Sequence, residues 1–255
     1  MTAYSQGHAA SVLRSQTWRT VANSAAYLAP HLSSGMRVLD VGCGPGTITA
    51  DLATRVHSVL GVDTDPGVVE KARALGVDAV VGDAYALPDG PFDVVHAHQV
   101  LLHLTDPVAA LREMLRVTRP GGLVAARDCD YGGIVLHPHD LRLDRWLEIY
   151  RGVARAHGTE PDAGRRLLGW AHAAGATDVT PSASIWCHAT PDERAWWGGQ
   201  WAERIVDSTI AERAVDGGFA TRAELADIAD AWRAWADHPD GWFSLPHGEV
   251  LIRVS

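Results

Sequence analysis

The residues most able to carry chemistry lie in the run Val38-Leu39-Asp40-Val41-Gly42-Cys43-Gly44-Pro45-Gly46-Thr47, where an apolar segment leads into three alternating glycines. Glycines at this spacing let the backbone turn sharply and let a ligand lie directly on the main chain. If a helix starts after the turn, its free N–H groups can receive a carboxylate or a phosphate. The run therefore predicts a binding loop between a buried strand and a helix.

Two carboxylates follow the next two apolar segments. Asp63 comes 21 residues after Gly42, and Asp83 lies in the triplet Gly82-Asp83-Ala84. A carboxylate at the first position can accept hydrogen bonds from both hydroxyls of a ribose. An acceptor at the second position can take a hydrogen bond from an adenine amino group. The three elements together point to a ligand that contains a nucleoside.

Two common nucleotide-binding loops do not fit this sequence. A dinucleotide fingerprint of the form G-x-G-x-x-G needs a glycine at position 47, where this chain has Thr47. A phosphate loop of the Walker type needs Gly-Lys-Ser/Thr, and no such triplet follows the glycines. A dehydrogenase is therefore disfavoured, and a Walker-type nucleotidase is excluded.

The surrounding pattern alternates short apolar segments with amphipathic ones. Helices are expected over 10–32, 47–56, 66–75, 107–117, 140–157, 162–174, 192–215 and 221–237, and strands over 38–41, 59–62, 79–81, 92–97, 123–126, 177–188 and 249–254. Alternating β and α units of this length predict an α/β fold with a doubly wound, mostly parallel sheet. Right-handed crossovers place the carboxyl ends of parallel strands at one edge, where ligands bind.

The motifs, taken in order, resemble the class I S-adenosyl-L-methionine-dependent methyltransferases. Within that class the sequence is most similar to the small-molecule branch that includes ubiquinone and menaquinone biosynthesis enzymes. The resemblance spans about residues 36–128 and rests on Val38 to Gly46, Asp63, Asp83-Ala84, Phe92 to Val95, and Arg119 to Gly122. It implies a Rossmann-like seven-stranded sheet with helical lid insertions.

The same resemblance implies a single methyltransferase domain over residues 1–255. Its core is expected at about 33–131, 176–190 and 241–255, and its lid at about 1–32, 132–175 and 191–240. The cofactor would be S-adenosyl-L-methionine (SAM), which leaves as S-adenosyl-L-homocysteine (SAH). Gly42, Cys43 and Gly44 would lie against its methionine part, and Asp40 would hold the turn beneath them.

Three further strand ends would complete the cofactor site by the same resemblance. Asp63 would hold the ribose hydroxyls, with Thr64 beside it. Asp83 would accept from the adenine amino group, while the Ala84 amide faces the ring. Backbone atoms of His98 and Gln99 would contact the methionine amino group.

Methyl transfer is an in-line displacement in which the cofactor supplies the driving force and the protein supplies positioning. A general base is needed only if the acceptor carries a proton with a high pKa. His103 and Asp130 are the expected catalytic pair, because a carboxylate near an imidazole would raise its pKa and orient the ring. Other candidates at the ends of these strands are His98, Asp128 and Tyr131, and the terminal segments could bring in His8 and His247.

A metal site is not expected. His96, His98 and His103 cluster in the sequence, but no carboxylate or thiol lies at metal-ligand spacing from them. The three cysteines are far apart and form no C-x-x-C motif, which also disfavours a structural zinc site or a disulfide framework.

The acceptor is expected to be a small organic molecule. A net charge of −9 makes nucleic acid an unlikely partner class. Nine of the ten tryptophans follow residue 140, where they either pack a core or line an apolar or aromatic pocket. This composition favours an uncharged or cationic acceptor. A cyclase that binds the cofactor without moving its methyl, and a non-catalytic cofactor-binding protein, remain alternatives.

The expected compartment is the cytoplasm. The N-terminus lacks the basic start and apolar run of a signal peptide, and no apolar stretch approaches the length of a membrane span. No membrane partner is expected, and the sequence does not indicate an oligomeric state.

Overall fold

The computed structural model describes residues 15–255, and within them the strands form one sheet. The strands are β1 (Arg37–Val41), β2 (Ser58–Asp63), β3 (Asp78–Val81), β4 (Phe92–His98), β5 (Thr118–Cys129), β6 (Val135–His137), β7 (Asp178–His188) and β8 (Trp242–Arg253). The helices are α1 (Val21–Ser24), α2 (Thr47–Ala53), α3 (Pro66–Ala74), α4 (Pro107–Val117), α5 (Leu141–Ala156), α6 (Leu167–Ala173), α7 (Pro191–Arg204), α8 (Thr209–Asp216) and α9 (Arg222–Asp237).

The strand order is β3-β2-β1-β4-β5-β8-β6, and β7 pairs along β8 as well. Strands β1 to β5 are parallel, whereas β8 runs antiparallel to β5, β6 and β7. The expectation of a doubly wound, mostly parallel α/β sheet is confirmed. The three-residue strand β6 is an eighth strand that the sequence pattern did not predict, because so short a segment carries no periodicity of its own.

Different segments of the chain pack against the two faces of the sheet. On one face, Val38, Val94 and Ala125 pack with Leu28 and Leu52, which come from the N-terminal segment and α2. On the other face, the neighbouring strand residues pack against α4 and α6. Because side chains alternate along a strand, Asp40, His96, His98 and Arg127 share the first face, and Asp128 lies on the second.

Two long predicted helices are interrupted in the structure. The segment expected as a helix over 10–32 falls partly outside the described residues, and its remainder contains only short helical turns. Thr20 caps α1 by accepting a hydrogen bond from the amide of Asn23. The segment 192–215 divides into α7 and α8, because the Ser208 side chain accepts from the amide of Ala211 and starts a new helix. Both breaks come from side chains that compete for backbone groups.

Most of the tryptophans form a second hydrophobic core among α5, α7 and α9. Trp146, Trp201 and Trp232 are fully buried, and the ring centroids of Trp146 and Trp201 are 4.6 Å apart. This second core joins residues 191–240 to α5 and to Trp186, Phe243 and Leu245 of the sheet. Residues 167–173, which were expected in the lid, instead pack on the sheet through Leu167 and Ala171.

Between residues 15 and 255, no helix combines the length and the apolar character needed to cross a membrane.

Candidate functional site

A cleft of about 550 Å³ opens at the carboxyl ends of β1 to β4. It is lined by all ten residues expected to bind the cofactor, which are Asp40, Gly42, Cys43, Gly44, Asp63, Thr64, Asp83, Ala84, His98 and Gln99. Because parallel strands end at the same edge, residues up to 59 positions apart in the chain meet there.

The glycine loop forms the floor of the cleft. Gly42, Gly44 and Gly46 have φ angles of 67°, 56° and 88°, a region that other residues rarely adopt. A Cβ on Gly42 would come within 2.4 Å of a Val100 methyl carbon. A Cβ on Gly44 would meet only the Gln16 side chain at 3.8 Å. Gly42 is therefore required by packing, whereas Gly44 keeps the cleft side of the loop clear.

The carboxylate of Asp63 joins the second strand to this loop. It accepts a hydrogen bond from the amide of Gly44 at 3.0 Å and another from the amide of Asp65 at 3.1 Å. An ionised carboxylate has about four lone-pair positions, so about two remain for a ligand diol. The Asp83 carboxylate is arranged in a similar way, because it accepts from the amide of Tyr85 at 3.1 Å and still lines the cleft.

Asp40 supports the loop from below. It is 3% exposed, and its two oxygens contact the Thr49 hydroxyl at 2.6 Å and Nδ1 of His96 at 2.7 Å. These bonds tie the end of β1 to α2 and β4, so Asp40 fixes the turn from which the glycine amides point.

A chain of hydrogen bonds crosses the end of β4. The guanidinium of Arg19 donates to Oε1 of Gln99 at 2.6 Å, and Nε2 of Gln99 lies 2.9 Å from Nε2 of His247. Since the Gln99 amide nitrogen donates, His247 accepts on Nε2, and its Nδ1–H donates to the carbonyl of Leu245 at 3.0 Å. Gln99 has a φ of 53°, the strained geometry that often marks functional sites.

Of the two residues expected to be catalytic, His103 lines the cleft and Asp130 does not. His103 lines the cleft, but burial and then the charge of Arg19 lower its pKa to about 3. The expectation of a raised His103 pKa is therefore wrong. Asp130 lies outside the cleft lining and forms a two-pronged ion pair with Arg165, with both N–O distances at 2.6 Å. Arg165 lies in the turn Gly164–Arg166 that precedes α6, and its backbone amide donates to the same carboxylate at 3.2 Å.

The histidine cluster does not assemble a metal site in the part of the chain from residue 15 onward. No group of three His, Cys, Asp or Glu side chains that could hold an ion occurs there. His96 is turned to Asp40 and His98 to Arg127, so the two rings serve separate contacts.

Four of the cleft residues that sequence reasoning did not find lie outside the motif region of residues 36–128. Gln16 and Arg19 come from the N-terminal segment, and Thr209 and Arg213 come from α8. The Thr47 hydroxyl donates to the Gln16 carbonyl at 3.1 Å, which holds this segment over the start of α2. None of the four belongs to a local motif, so only the tertiary structure identifies them. His8, also considered, lies outside the described residues.

Comparisons with known proteins agree with this geometry. Residues 39–126 match the family model described as a methyltransferase domain. An uncharacterized methyltransferase of Schizosaccharomyces pombe is 34% identical over 98% of this chain and 96% of its own length. A demethylmenaquinone methyltransferase of Beutenbergia cavernae is 46% identical over 34% of this chain and 38% of its own.

Solved structures show the same fold. The YcgJ protein of Bacillus subtilis has a TM-score of 0.58 at 19% identity and covers 90% of this chain and 97% of its own. A putative methyltransferase of Bacillus halodurans has a TM-score of 0.57 at 17% identity, with 90% and 98% covered. The glycine loop, the carboxylates at the ends of β2 and β3, and the long S. pombe match lead to one assignment: this chain is a class I SAM-dependent methyltransferase with SAM as its cofactor.

Proposed function

We propose that this enzyme transfers the methyl group of SAM to a small organic acceptor that is largely apolar or aromatic. The observation that carries the proposal is the cleft, because all the expected cofactor residues line it and one of them, His98, packs at the end of a row of aromatic side chains, the aromatic wall, formed by Trp186, Trp18 and Trp196.

The cleft residues fit SAM in shape and in hydrogen bonding. Gly44 leaves the floor open, so a flat or extended ligand can lie on the backbone. Asp63 has lone pairs left for the ribose hydroxyls, and Asp83 has an oxygen left for the adenine amino group. We assign Gly42, Cys43, Gly44, His98 and Gln99 to the methionine part.

The aromatic wall begins at the methionine end of the cleft. The ring of His98 lies 5.7 Å from Trp186, and Trp186 lies 5.2 Å from Trp18. Trp18 in turn lies 5.3 Å from Trp196 and is 37% exposed. A path of aromatic rings therefore leads from the end of β4 to the surface, which suits an acceptor that stacks on aromatic side chains.

When bound, SAM would supply an electrophilic methyl group, which is attached to a positively charged sulfur. The protein holds the acceptor in line and keeps water out, and positioning of this kind is worth several kcal/mol of barrier. Gln16 and Arg19 from the segment before β1, and Thr209 and Arg213 from α8, also line the cleft. We infer that residues 15–32 and 191–240 act as the lid over the two substrates.

Two measurements on the intact protein test the proposal. Calorimetry should show binding of SAM and SAH, and a panel of small aromatic acceptors should include members that give SAH and a methylated product. Binding without turnover of any acceptor would favour a non-catalytic protein. A change in the acceptor's skeleton without formation of SAH would favour a cyclase.

A further inference from the structure

Acidic and basic residues line different parts of the cleft. The acidic residues of its described lining lie at or just after the ends of β1 to β3, and they are Asp40, Asp63, Asp65 and Asp83. The arginines of the same lining are Arg19, from the segment before β1, and Arg213, from α8. The acidic group includes the carboxylates proposed to hold the ribose and the adenine. The arginines therefore belong to the part of the cleft that is left for the methionine end of the cofactor and for the acceptor.

Arg19 lies beside the methionine end of the proposed cofactor site. Its guanidinium donates to Oε1 of Gln99 at 2.6 Å, and Gln99 directly follows β4. Gln99 is assigned above to the methionine part of SAM, which carries a carboxylate of its own. That carboxylate is the counterion expected for Arg19 when SAM is bound.

Arg213 lies beside the turn that follows β4. Together with His103, which ends this turn, it lines both the cleft and a second cavity of about 10 Å³. The other walls of the small cavity are mostly apolar and include Tyr150 and Ile210. Arg213 is half-buried. Because apolar surroundings strengthen an ion pair relative to water, a guanidinium here holds an anion more tightly than one at the surface.

Helix α8 presents Arg213 to the cleft. Thr209 and Arg213 are four residues apart in α8, so they lie on one face of the helix, and both line the cleft. Ala214 is 0% exposed and packs in the second core, which fixes the rotation of the helix. The acidic residues of the helix, Glu212 and Asp216, are exposed and lie outside the cleft lining. The helix therefore offers a hydroxyl and a guanidinium to a ligand and keeps its carboxylates in solvent.

The local charge at this end of the cleft is positive, although the chain as a whole is acidic. Burial, followed by the charge of Arg19, lowers the pKa of His103 to about 3, so this ring is neutral near neutral pH. The positive charge is therefore carried by the guanidinium groups. The net charge of −9 favoured an uncharged or cationic acceptor, but an acceptor meets the residues of the cleft and not the average of the surface. This end of the cleft favours an anionic group.

We propose, on the basis of the function proposed above, that the acceptor carries a carboxylate on an apolar or aromatic body, and that the guanidinium of Arg213 binds this carboxylate with help from the Thr209 hydroxyl. The planar fork of a guanidinium matches a carboxylate and holds it with two parallel hydrogen bonds. Such a clamp fixes the distance and direction from the acceptor to the methyl group. The carboxylate anchors the acceptor and a different atom receives the methyl, because pairing with a guanidinium withdraws electron density from the carboxylate oxygens.

The test compares trans-cinnamate with cinnamamide, which share a planar aromatic body and differ in carrying a carboxylate or a neutral amide. Each probe is titrated into the SAH-saturated protein by calorimetry at neutral pH. We expect cinnamate to bind about tenfold more tightly, the effect of one charge-assisted hydrogen bond, and we expect this preference to shrink at high salt. The net charge of −9 repels any anion, so a preference for cinnamate reports the local site.

Three variants complete the experiment. Arg213→Gln should lower the affinity for cinnamate about tenfold, to that of cinnamamide, and should change the affinity for SAH less than about threefold. Thr209→Val should lower the affinity for cinnamate about fivefold, and it serves if Arg213→Gln does not fold. Arg233→Gln is the matched control, since Arg233 lies on α9, pairs with Asp230 and is outside the cleft lining. It removes the same charge and should leave the preference unchanged.

Any of four results would overturn the inference. They are equal binding of the two probes, an unchanged affinity for cinnamate in folded Arg213→Gln or, where that variant does not fold, in Thr209→Val, a loss of SAH affinity in Arg213→Gln as large as the loss of cinnamate affinity, and no binding of either probe while SAH binds normally. Tighter binding of phenyl phosphate than of cinnamate would also reject the carboxylate, because it would indicate a site for a phosphate ester. Failure of SAH to bind would instead contradict the proposed function.

Discussion

The carboxylate of Asp63 accepts a hydrogen bond of 3.0 Å from the backbone amide of Gly44, so the end of β2 fixes the glycine loop that follows β1. The same side chain also accepts from the amide of Asp65, which precedes α3. One carboxylate therefore organises both walls of the cleft and still has lone pairs for a ligand.

This double role predicts two separable effects at position 63. Asp63→Ala should weaken SAH binding by about tenfold to a hundredfold through loss of charge-assisted bonds, and it should also lower the free energy of unfolding by about 1–3 kcal/mol. Asp63→Asn keeps one side-chain oxygen but loses the charge, so it should mainly weaken SAH binding. Calorimetry and urea unfolding measure the two effects. Asp140→Ala, at the N-terminus of α5 and outside the cleft lining, is the matched control for Asp63→Ala and should change stability only. Normal SAH affinity in a folded Asp63→Asn protein would reduce Asp63 to a structural cap.

Substitution of Gly44 should weaken ligand binding, whereas substitution of Gly42 should destabilise the fold. Gly44→Val places a branched side chain over the open floor and should reduce SAH affinity at least tenfold, beyond the roughly 1 kcal/mol cost of a positive φ. Gly76→Val has a φ of 81° and open space around its Cβ, and it lies outside the cleft lining, so it measures the backbone cost alone. Gly42→Val should destabilise the protein because of the contact with Val100. Calorimetry on folded Gly44→Val that gave wild-type affinity would contradict the loop assignment.

The ion pair between Asp130 and Arg165 should stabilise the protein without taking part in catalysis. Asp130→Asn and Arg165→Ala should each lower stability by about 1–3 kcal/mol, and the double variant should lose little more than either one. Each should reduce kcat less than about tenfold once a substrate is available. A loss of a hundredfold or more in Asp130→Asn, with Arg165→Ala near the wild type, would support the expected catalytic role of Asp130. Unfolding curves and single-turnover rates on the same preparations decide between the two roles.

Asp128 should make the stability of the protein depend on pH. Burial raises the pKa of its carboxyl to about 8, although the nearby amides of Leu102 and Leu101 oppose the rise. The folded pKa lies above the unfolded value of about 3.9, so folding binds a proton between these pH values. The stabilising contribution is complete below about pH 4 and is lost as the pH rises toward 8, by at most about 1.4 kcal/mol per pH unit.

Asp128→Asn removes this titration and keeps the shape of the side chain. We expect the variant to gain stability relative to the wild type as the pH is raised from 5 to 8. Urea unfolding of both proteins at pH 5, 6.5 and 8 measures the difference. A difference that stays constant with pH would show that Asp128 does not titrate in this range.

The residues proposed to bind the cofactor could be predicted from local sequence. The alternation of strands and helices places the carboxyl ends of the parallel strands at one edge, and Gly44, Asp63 and Asp83 lie at or within about three residues of the ends of β1, β2 and β3. Their meeting in one cleft therefore needs only the handedness and register of a parallel sheet. The same reasoning could not find β6, which has three residues, or the breaks at Thr20 and Ser208.

The acceptor half was decided by tertiary structure. Arg19 reaches Gln99 across 80 positions of sequence, and Arg127 reaches Glu249 across 122. His103 was expected to be a base, but its pKa depends on burial and on Arg19, neither of which is visible in the residues beside it. Asp130 was expected to orient it, but Arg165 engages that carboxylate instead. A strand end is fixed by the chain itself, whereas desolvation and long-range charge depend on which distant atoms the fold brings within a few ångströms.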